Sequence, residues 1–318
     1  MRGHLVTKPE IILTVPIYAP ALAELEGEFT VHKLWTAPDR DAFLQQISPR
    51  VRGAVTTGPF GFSREYFEAL PKLEIVACYG TPNRTVDLTA AKERRVVVTN
   101  TPDSITEAVA DLALGLVIAV MRRICEHDRY VRAGKWLEAP APPGREVRGK
   151  ACGIVGLGRI GRGIARRVEA CGMSVRYYGP HRKPDVAWPY YSDLENMARE
   201  VDCLVIACPA TPATRNLVDA RILDALGPEG FLINVSRGVN VDETALIAAL
   251  RDGRIAGAGL DVFRDEPRVP AELLAMEQVV LVPHIGSSTL EVREGRKEKL
   301  LANLRAHFSG KPVLNPLA

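Results

Sequence analysis

Ala151-Cys-Gly-Ile-Val-Gly156-Leu-Gly158-Arg159-Ile160-Gly161 is the stretch on which the fold turns. It is a G-x-G-x-x-G directly after an apolar run and at the opening of a helical pattern. Gly156 allows a tight turn, Gly158 lets a pyrophosphate approach the backbone, and Gly161 permits close helix–strand packing. The helix that begins there would present free N–H groups and a partial positive charge to phosphates. A lone pattern of this kind is also compatible with a plain glycine-rich turn. Here a second strand candidate at 174–178 completes a strand–loop–helix–strand unit, and dinucleotide binding is the stronger reading.

The same alternation runs along the whole chain. Strand candidates in the first hundred residues are 10–15, 31–34, 53–56, 73–77 and 96–99, with helical stretches at 40–47 and 85–93. A second series is 151–155, 174–178, 203–207, 231–234, 255–260 and 279–282. These runs are almost continuously apolar, as in parallel strands with helices on both faces. Doubly wound α/β architecture is predicted for both halves. A long helix is predicted over 103–130, after Pro102, and its middle, LALGLVIAVM, is apolar all round, which predicts burial on several sides. The Pro-rich connector APAPPG (139–144) separates the two series, and 289–308 reads as a closing helix.

Composition bounds the function. A chain of 318 residues suggests about two domains. Net charge is 41 − 38 = +3, far from the excess of a dedicated nucleic-acid binder. Hydrophobic residues at 47% and charged residues at 25% are ordinary for a globular protein. The longest apolar run, 112–121, is ten residues, whereas a membrane span needs about 20. The opening MRGHLVTKPE leads into a short run broken by Pro16, so no secretory pattern is read there. The six cysteines contain no CxxC pair, and four lie inside apolar stretches. A cytoplasmic protein with no metal, no membrane and no nucleic-acid partner is expected.

The turn after the second strand of the glycine unit narrows the cofactor. NAD enzymes usually end that strand with an acid for the ribose 2′-hydroxyl. This chain has Gly179-Pro-His181-Arg182-Lys183 and no carboxylate until Asp185. Two or three cations without the acid suit a 2′-phosphate, so NADPH is expected over NADH. A solvated basic turn that happens to lack an acid is the alternative. Further on, three apolar strands each end in a polar residue: Arg237 after FLIN, Glu266 after GAGL and His284 after VVLV. Singly, each has a dull explanation as a surface ion pair, a turn residue or a structural histidine. Three at successive strand ends, where ligands of open α/β sheets bind, point to chemistry.

VGLGRIG (155–161), NVSRG (234–238), GLDVFRDEP (259–267) and PHIGSST (283–289), with NTPDSITEAVAD (100–111) and CPATPATR (208–215), resemble the D-isomer-specific 2-hydroxyacid dehydrogenase family over essentially the whole chain. Within it the chain looks most like the glyoxylate/hydroxypyruvate reductases. The resemblance implies that Arg237 binds the substrate carboxylate and polarises the keto oxygen, that His284 is the general acid, and that Glu266 pairs with His284. It implies Asp261 as a carboxamide-binding aspartate. Cofactor contacts would come from Thr106, Gly156, Leu157, Gly158, Arg159, Ile160, Gly161, His181, Arg182, Lys183, Cys208, Pro209, Thr214, Val235, Ser236, His284, Gly286 and Ser287. Phe60, Tyr79, Gly80 and Thr81 would join Arg237 and His284 around the substrate. Relatives usually have glycine at position 82 and an acid or amide at position 84, where this chain has Pro82 and Arg84.

The resemblance also implies a dinucleotide-binding Rossmann domain, 99–285, inserted in a flavodoxin-like substrate domain built from 1–98 and 286–318. It implies a homodimer through the long helix after Pro102. Reduction of a small 2-keto acid to the D-2-hydroxy acid is the expected activity. The alternatives are 2-ketogluconate or phenylpyruvate as substrate, or a dinucleotide-sensing, corepressor-like binding protein.

Overall fold

The computed structural model describes residues 8–81, 85–102 and 105–317. The chain forms two compact units, Met1–Ser104 with Leu290–Ala318, and Ile105–Thr289.

The first unit alternates β1 (Glu10–Leu13), α1 (Ala19–Glu28), β2 (Thr30–Lys33), α2 (Arg40–Ile47) and β3 (Val51–Thr57). It continues with α3 (Arg64–Ala69), β4 (Ile75–Tyr79), α4 (Leu88–Glu93) and β5 (Val97–Thr99). The five strands are parallel in the order β2-β1-β3-β4-β5. Short polar side chains start the helices: Asp39 accepts from the N–H groups of Asp41 and Ala42, and Asp87 accepts from that of Ala90.

The second unit opens with α5 (Thr106–Met121) and α6 (Ile124–Arg132). Then come β6 (Ala151–Val155), α7 (Arg159–Ala170), β7 (Ser174–Tyr178), β8 (Tyr190–Tyr191), α8 (Leu194–Arg199) and β9 (Cys203–Ile206). It closes with α9 (Ala220–Leu226), β10 (Phe231–Asn234), α10 (Glu243–Arg251), β11 (Gly257–Leu260), α11 (Ala271–Ala275) and β12 (Val279–Leu281). The seven-stranded order is β12-β11-β10-β9-β6-β7-β8, all parallel. The strand order reverses at β6, the switch point beyond which open α/β sheets bind ligands. The glycine loop follows that strand.

The last helix, α12 (Leu290–Phe308), returns to the first unit. Its Leu300, Leu301 and Leu304 pack with Ile11, Leu13, Val55, Ile75 and Ala77. The alternate residues Ile12, Ala54, Val76 and Val98 pack on the other face with Phe62 and Phe67. Both faces are therefore covered, which is why these strands read as unbroken apolar runs.

One expectation needs correction, and one element carries no sequence signal. The helix predicted over 103–130 is two helices, parted where Arg123 takes φ 54°. Neither glycine nor asparagine marks that left-handed residue, and the Arg123–Glu126 ion pair at 2.6 Å holds the corner instead. The two-residue edge strand β8 was not foreseen, because Tyr190–Tyr191 is too short to show a period. Among the described residues no helix is long and apolar enough to cross a membrane. No group of three His, Cys, Asp or Glu that could hold a metal occurs among them either.

Candidate active site

The glycine loop is shaped by backbone contact. Gly156 has φ 96°, and a Cβ there would lie 2.8 Å from the Cys208 backbone. A Cβ on Gly161 would lie 2.1 Å from the Gly156 carbonyl oxygen. Gly158, by contrast, opens onto space with nothing within 4 Å, and it begins α7 without any side-chain cap. An uncapped helix N-terminus beside an open backbone is a fit for a pyrophosphate, with N–H donors on one side and room on the other. Leu157 is buried and Ile160 packs into the core beside α5, so both anchor the loop. Arg159 is exposed at the first turn of α7, and Thr106 is the first residue of α5.

The basic turn lies beyond β7. His181 and Arg182 are exposed and Lys183 is half-buried, its backbone N–H donating to the Tyr177 hydroxyl at 2.7 Å. Among the described residues no acid pairs with any of these three side chains. The nearest acid in sequence, Asp185, is taken by Arg162 of α7 at 2.8 Å. That hydrogen bond to the guanidinium holds the Asp185 carboxyl below its ordinary range.

Arg237, Glu266 and His284 follow β10, β11 and β12, three neighbouring strands. His284 Nδ1 is 2.7 Å from Glu266 Oε2, while Glu266 Oε1 accepts the Phe263 N–H at 3.0 Å. With Nδ1 engaged, Nε2 is the nitrogen left for exchange with a substrate. Arg237 is exposed, and its Nη1 donates to the Ser236 carbonyl at 2.6 Å. Among the described residues it has no carboxylate partner. Asp261 is 2% exposed, and its oxygens accept the N–H groups of Ile285 at 2.6 Å and Gly286 at 3.0 Å. Burial raises its pKa, opposed by those two donors. Asp261 thereby ties the end of β11 to the loop that carries His284.

The other expected cofactor residues line the ends of β9 and β10. Cys208 is buried, which pushes its thiol up to about 11. The Pro209 carbonyl accepts the Thr214 hydroxyl at 2.7 Å, and Val235 is buried with its N–H on the Ile206 carbonyl at 3.3 Å. Ser236 bonds Asn234 and Asn240, and Ser287 is half-buried after Gly286.

The positioning groups here are ones the sequence reading passed over. Asn234 Oδ1 accepts the Ser236 N–H at 3.0 Å while its Nδ2 donates to the Arg237 carbonyl at 3.1 Å. Asn240, fully buried, donates to the Cys208 carbonyl and to Ser236 Oγ, both at 3.0 Å. A Cβ on Gly238 would lie 2.1 Å from the Phe263 carbonyl, so glycine is required where two loops meet. The signal available in the sequence was an asparagine at each end of NVSRGVN.

The substrate candidates of the first unit behave differently. Tyr79 is 9% exposed, its ring packed in the core and its hydroxyl donating to the Arg293 carbonyl at 3.1 Å. The Gly80 N–H donates to Thr101 Oγ1 at 2.9 Å. Thr81 is exposed, and Phe60 is 39% exposed with its ring 6.2 Å from that of Tyr66. Pro82 and Arg84 lie outside the described residues.

Residues 114–286 match the family model described as D-isomer specific 2-hydroxyacid dehydrogenase, NAD binding domain. The chain belongs to that family. It is therefore an oxidoreductase whose cofactor is a nicotinamide dinucleotide. It is 45% identical over 307 residues to glyoxylate/hydroxypyruvate reductase A of Arabidopsis thaliana, covering 96% of this chain and 98% of that one. It is 44% identical over 307 residues to hydroxyphenylpyruvate reductase of Plectranthus scutellarioides, with the same coverage. A solved NADPH-dependent glyoxylate/hydroxypyruvate reductase of Sinorhizobium meliloti, in complex with NADP and malonate, superposes with TM-score 0.85 at 39% identity. That alignment covers 98% of this chain and 97% of the other.

Proposed function

We propose that the protein reduces a small 2-keto acid of the glyoxylate or hydroxypyruvate type to the D-2-hydroxy acid, with NADPH as the preferred cofactor. The observation that carries this is the 2.7 Å His284–Glu266 pair on the strand edge that also bears the acid-free Arg237. When bound, the cofactor supplies hydride to the carbonyl carbon. Arg237 grips the substrate carboxylate with its planar fork and polarises the keto oxygen. His284 gives the proton on Nε2 to that oxygen and is re-protonated from water. Glu266 holds the ring through Nδ1 and offsets the imidazolium charge. The carbonyl thus gains one C–H and one O–H bond.

Preference for NADPH rests on the three cations at 181–183 and on Asp185 being engaged by Arg162. The dinucleotide would lie over residues 156–161, with Asp261 toward its carboxamide and Thr106, Cys208, Pro209, Thr214, Val235, Ser236, Gly286 and Ser287 around it. Substrate contacts on the first unit are assigned to Phe60, Tyr79, Gly80 and Thr81. Because the Gly80 N–H already donates to Thr101, that loop must rearrange for it to serve a carboxylate. The ring of Tyr79 is buried, so stacking on an aromatic keto acid falls to Phe60 alone.

Residues 1–98 and 286–318 are assigned to substrate and 99–285 to the dinucleotide. Two copies are proposed to pair through the α5 face, where Leu112, Leu114 and Ile118 stay partly exposed, beside exposed Ile124, Val131 and Trp136. Six free cysteines suit the reducing cytoplasm as the location.

A screen of NADPH and NADH oxidation over glyoxylate, hydroxypyruvate, phenylpyruvate and 2-ketogluconate tests the activity. The highest kcat/KM is expected for glyoxylate or hydroxypyruvate with NADPH. A best substrate that is bulky and aromatic, or equal efficiency with NADH, would contradict it. Tight cofactor binding with no turnover at all would favour a sensor.

A further inference from the structure

The turn that carries His181, Arg182 and Lys183 is fastened at both ends by one pair of tyrosines. Tyr177 of β7 and Tyr190 of β8 are register partners, with ring centres 5.4 Å apart. The Tyr190 hydroxyl donates to the Gly179 carbonyl at 3.1 Å, where the turn begins. The Tyr177 hydroxyl accepts the Lys183 N–H at 2.7 Å, where the cations end. Pro180 and Pro184 bracket the three residues, each with its φ fixed by the ring. Beyond them, Asp185 is held by Arg162 and the Trp188 indole N–H donates to Glu169, both partners lying on α7.

Phenylalanine would fill both ring sites, so the hydroxyls need a reason of their own. Tyr177 is 1% exposed, and a phenol buried that far costs free energy unless its oxygen finds a partner. Both hydroxyls bond the backbone of the turn, not the core around them. The turn so held gains nothing from its own charges. Arg182 and Lys183 repel each other, His181 adds a third positive group when protonated, and among the described residues no acid pairs with any of them. Fixing like charges on a stiff turn removes the cost of ordering them when a guest brings the negative charge. The Lys183 N–H is already given to Tyr177, so the donors for such a guest come from the three side chains.

We propose that the hydroxyls of Tyr177 and Tyr190 are positioning groups for recognition of the cofactor's 2′-phosphate. They hold the turn in the one arrangement that presents His181, Arg182 and Lys183 together, and so they set the preference for NADPH without touching the phosphate themselves. This deepens the cofactor reading above and rests on it. NADH carries an uncharged 2′-hydroxyl at that place and draws no charge-assisted bond from the ordered turn.

The test compares Tyr177→Phe, Tyr190→Phe and the double variant with the unaltered protein by fluorescence titration of NADPH and NADH. Each substitution removes one oxygen and keeps the ring, and Tyr190, half-buried on the edge strand, is the milder of the two. The Kd for NADPH should rise roughly two- to tenfold in each single variant and further in the double one, while the Kd for NADH stays within about twofold. Displacement by adenosine 2′,5′-bisphosphate should weaken in step with NADPH, and displacement by 5′-AMP should not. A merely structural role would lower Tm and move both cofactors together. An unchanged ratio of the two Kd values, or an equal loss for both, overturns the proposal and leaves the cofactor reading standing. If the unaltered protein binds NADPH and NADH alike, the cofactor reading itself has failed and the proposal falls with it.

Discussion

The loops beyond β10, β11 and β12 differ from the end of β4 in how their polar groups are partnered. On the three-strand edge the acids and Asn234 are fully engaged, and among the described residues Asn240 Oδ1 is the buried side-chain atom there that lacks a partner. Glu266 uses both oxygens, Asp261 uses both oxygens, and Asn234 uses its oxygen and its nitrogen within a few residues of the groups assigned to chemistry. Gly238 admits no Cβ, so the backbone there has one arrangement. Beside β4 it is a charged group that goes unmatched: Arg296 keeps its buried Nε without a hydrogen-bond partner and lies over the Tyr79 ring. A site that must hold a proton donor in place is preorganised by its own backbone.

The sharpest break of this contrast is at the proton donor. His284→Ala should lower kcat by roughly 10²–10⁴-fold, the usual contribution of a positioned acid–base group, while leaving the NADPH Kd nearly unchanged. Retention of more than about half of kcat would remove His284 from the role.

The glycine loop comes next. Gly161→Ala would place a methyl 2.1 Å from the Gly156 carbonyl, forcing the loop to move. Overpacking of this kind costs about 1–3 kcal/mol, which predicts NADPH binding weakened roughly 5- to 150-fold by fluorescence titration. Unaltered Kd would mean the cradle yields more easily than its contacts imply.

What the sequence made legible follows the same division. The trio, the glycine loop and the alternation of strands and helices are local patterns, and the helix Arg40–Ile47 and the strands Ala151–Val155, Ser174–Tyr178 and Phe231–Asn234 lie where they were read. Contacts across long separations left no such trace. The Gly80 N–H is occupied by Thr101, 21 residues on, and nothing near either residue announces it. Arg296 sits among Arg293 and Lys297 in a pattern that reads as an ordinary charged helix face. Only the packing of α12 against β4 separates it from them. The corner at Arg123 was hidden for a related reason, since a side-chain ion pair rather than a turn residue stabilises it.

Smaller effects sharpen the comparison at the cofactor end. A contact worth about 2 kcal/mol gives roughly a 30-fold preference for NADPH, and Arg182→Ala should remove much of it. The ratio of kcat/KM for the two cofactors is the readout, and an unchanged ratio would leave the basic turn as a solvated face.

The smallest effect lies in the first unit, far from β4's end. Glu74 accepts from Arg52 at 2.7 Å and lies 3.1 Å from His307 Nε2. The hydrogen bond from Arg52 is the largest cause holding its carboxyl below the ordinary value. A depressed carboxylate stabilises above its unfolded pKa and loses that contribution as pH falls through the folded one. With Glu74 39% exposed, solvent screening limits the gain to about a few tenths of a kcal/mol. Glu74→Gln should therefore lower Tm slightly at pH 7, and the difference should shrink as pH falls below the ordinary glutamate range and vanish only below the lowered folded pKa. A gap that widens toward acid would reverse the sign.

Reduction of hydroxypyruvate by the purified protein with NADPH, followed by chiral separation of the product, bears most directly on the assigned chemistry. D-glycerate is expected, formed at a rate that His284→Ala cuts at least about a hundredfold. L-glycerate, or bound cofactor that is never oxidised, would contradict it.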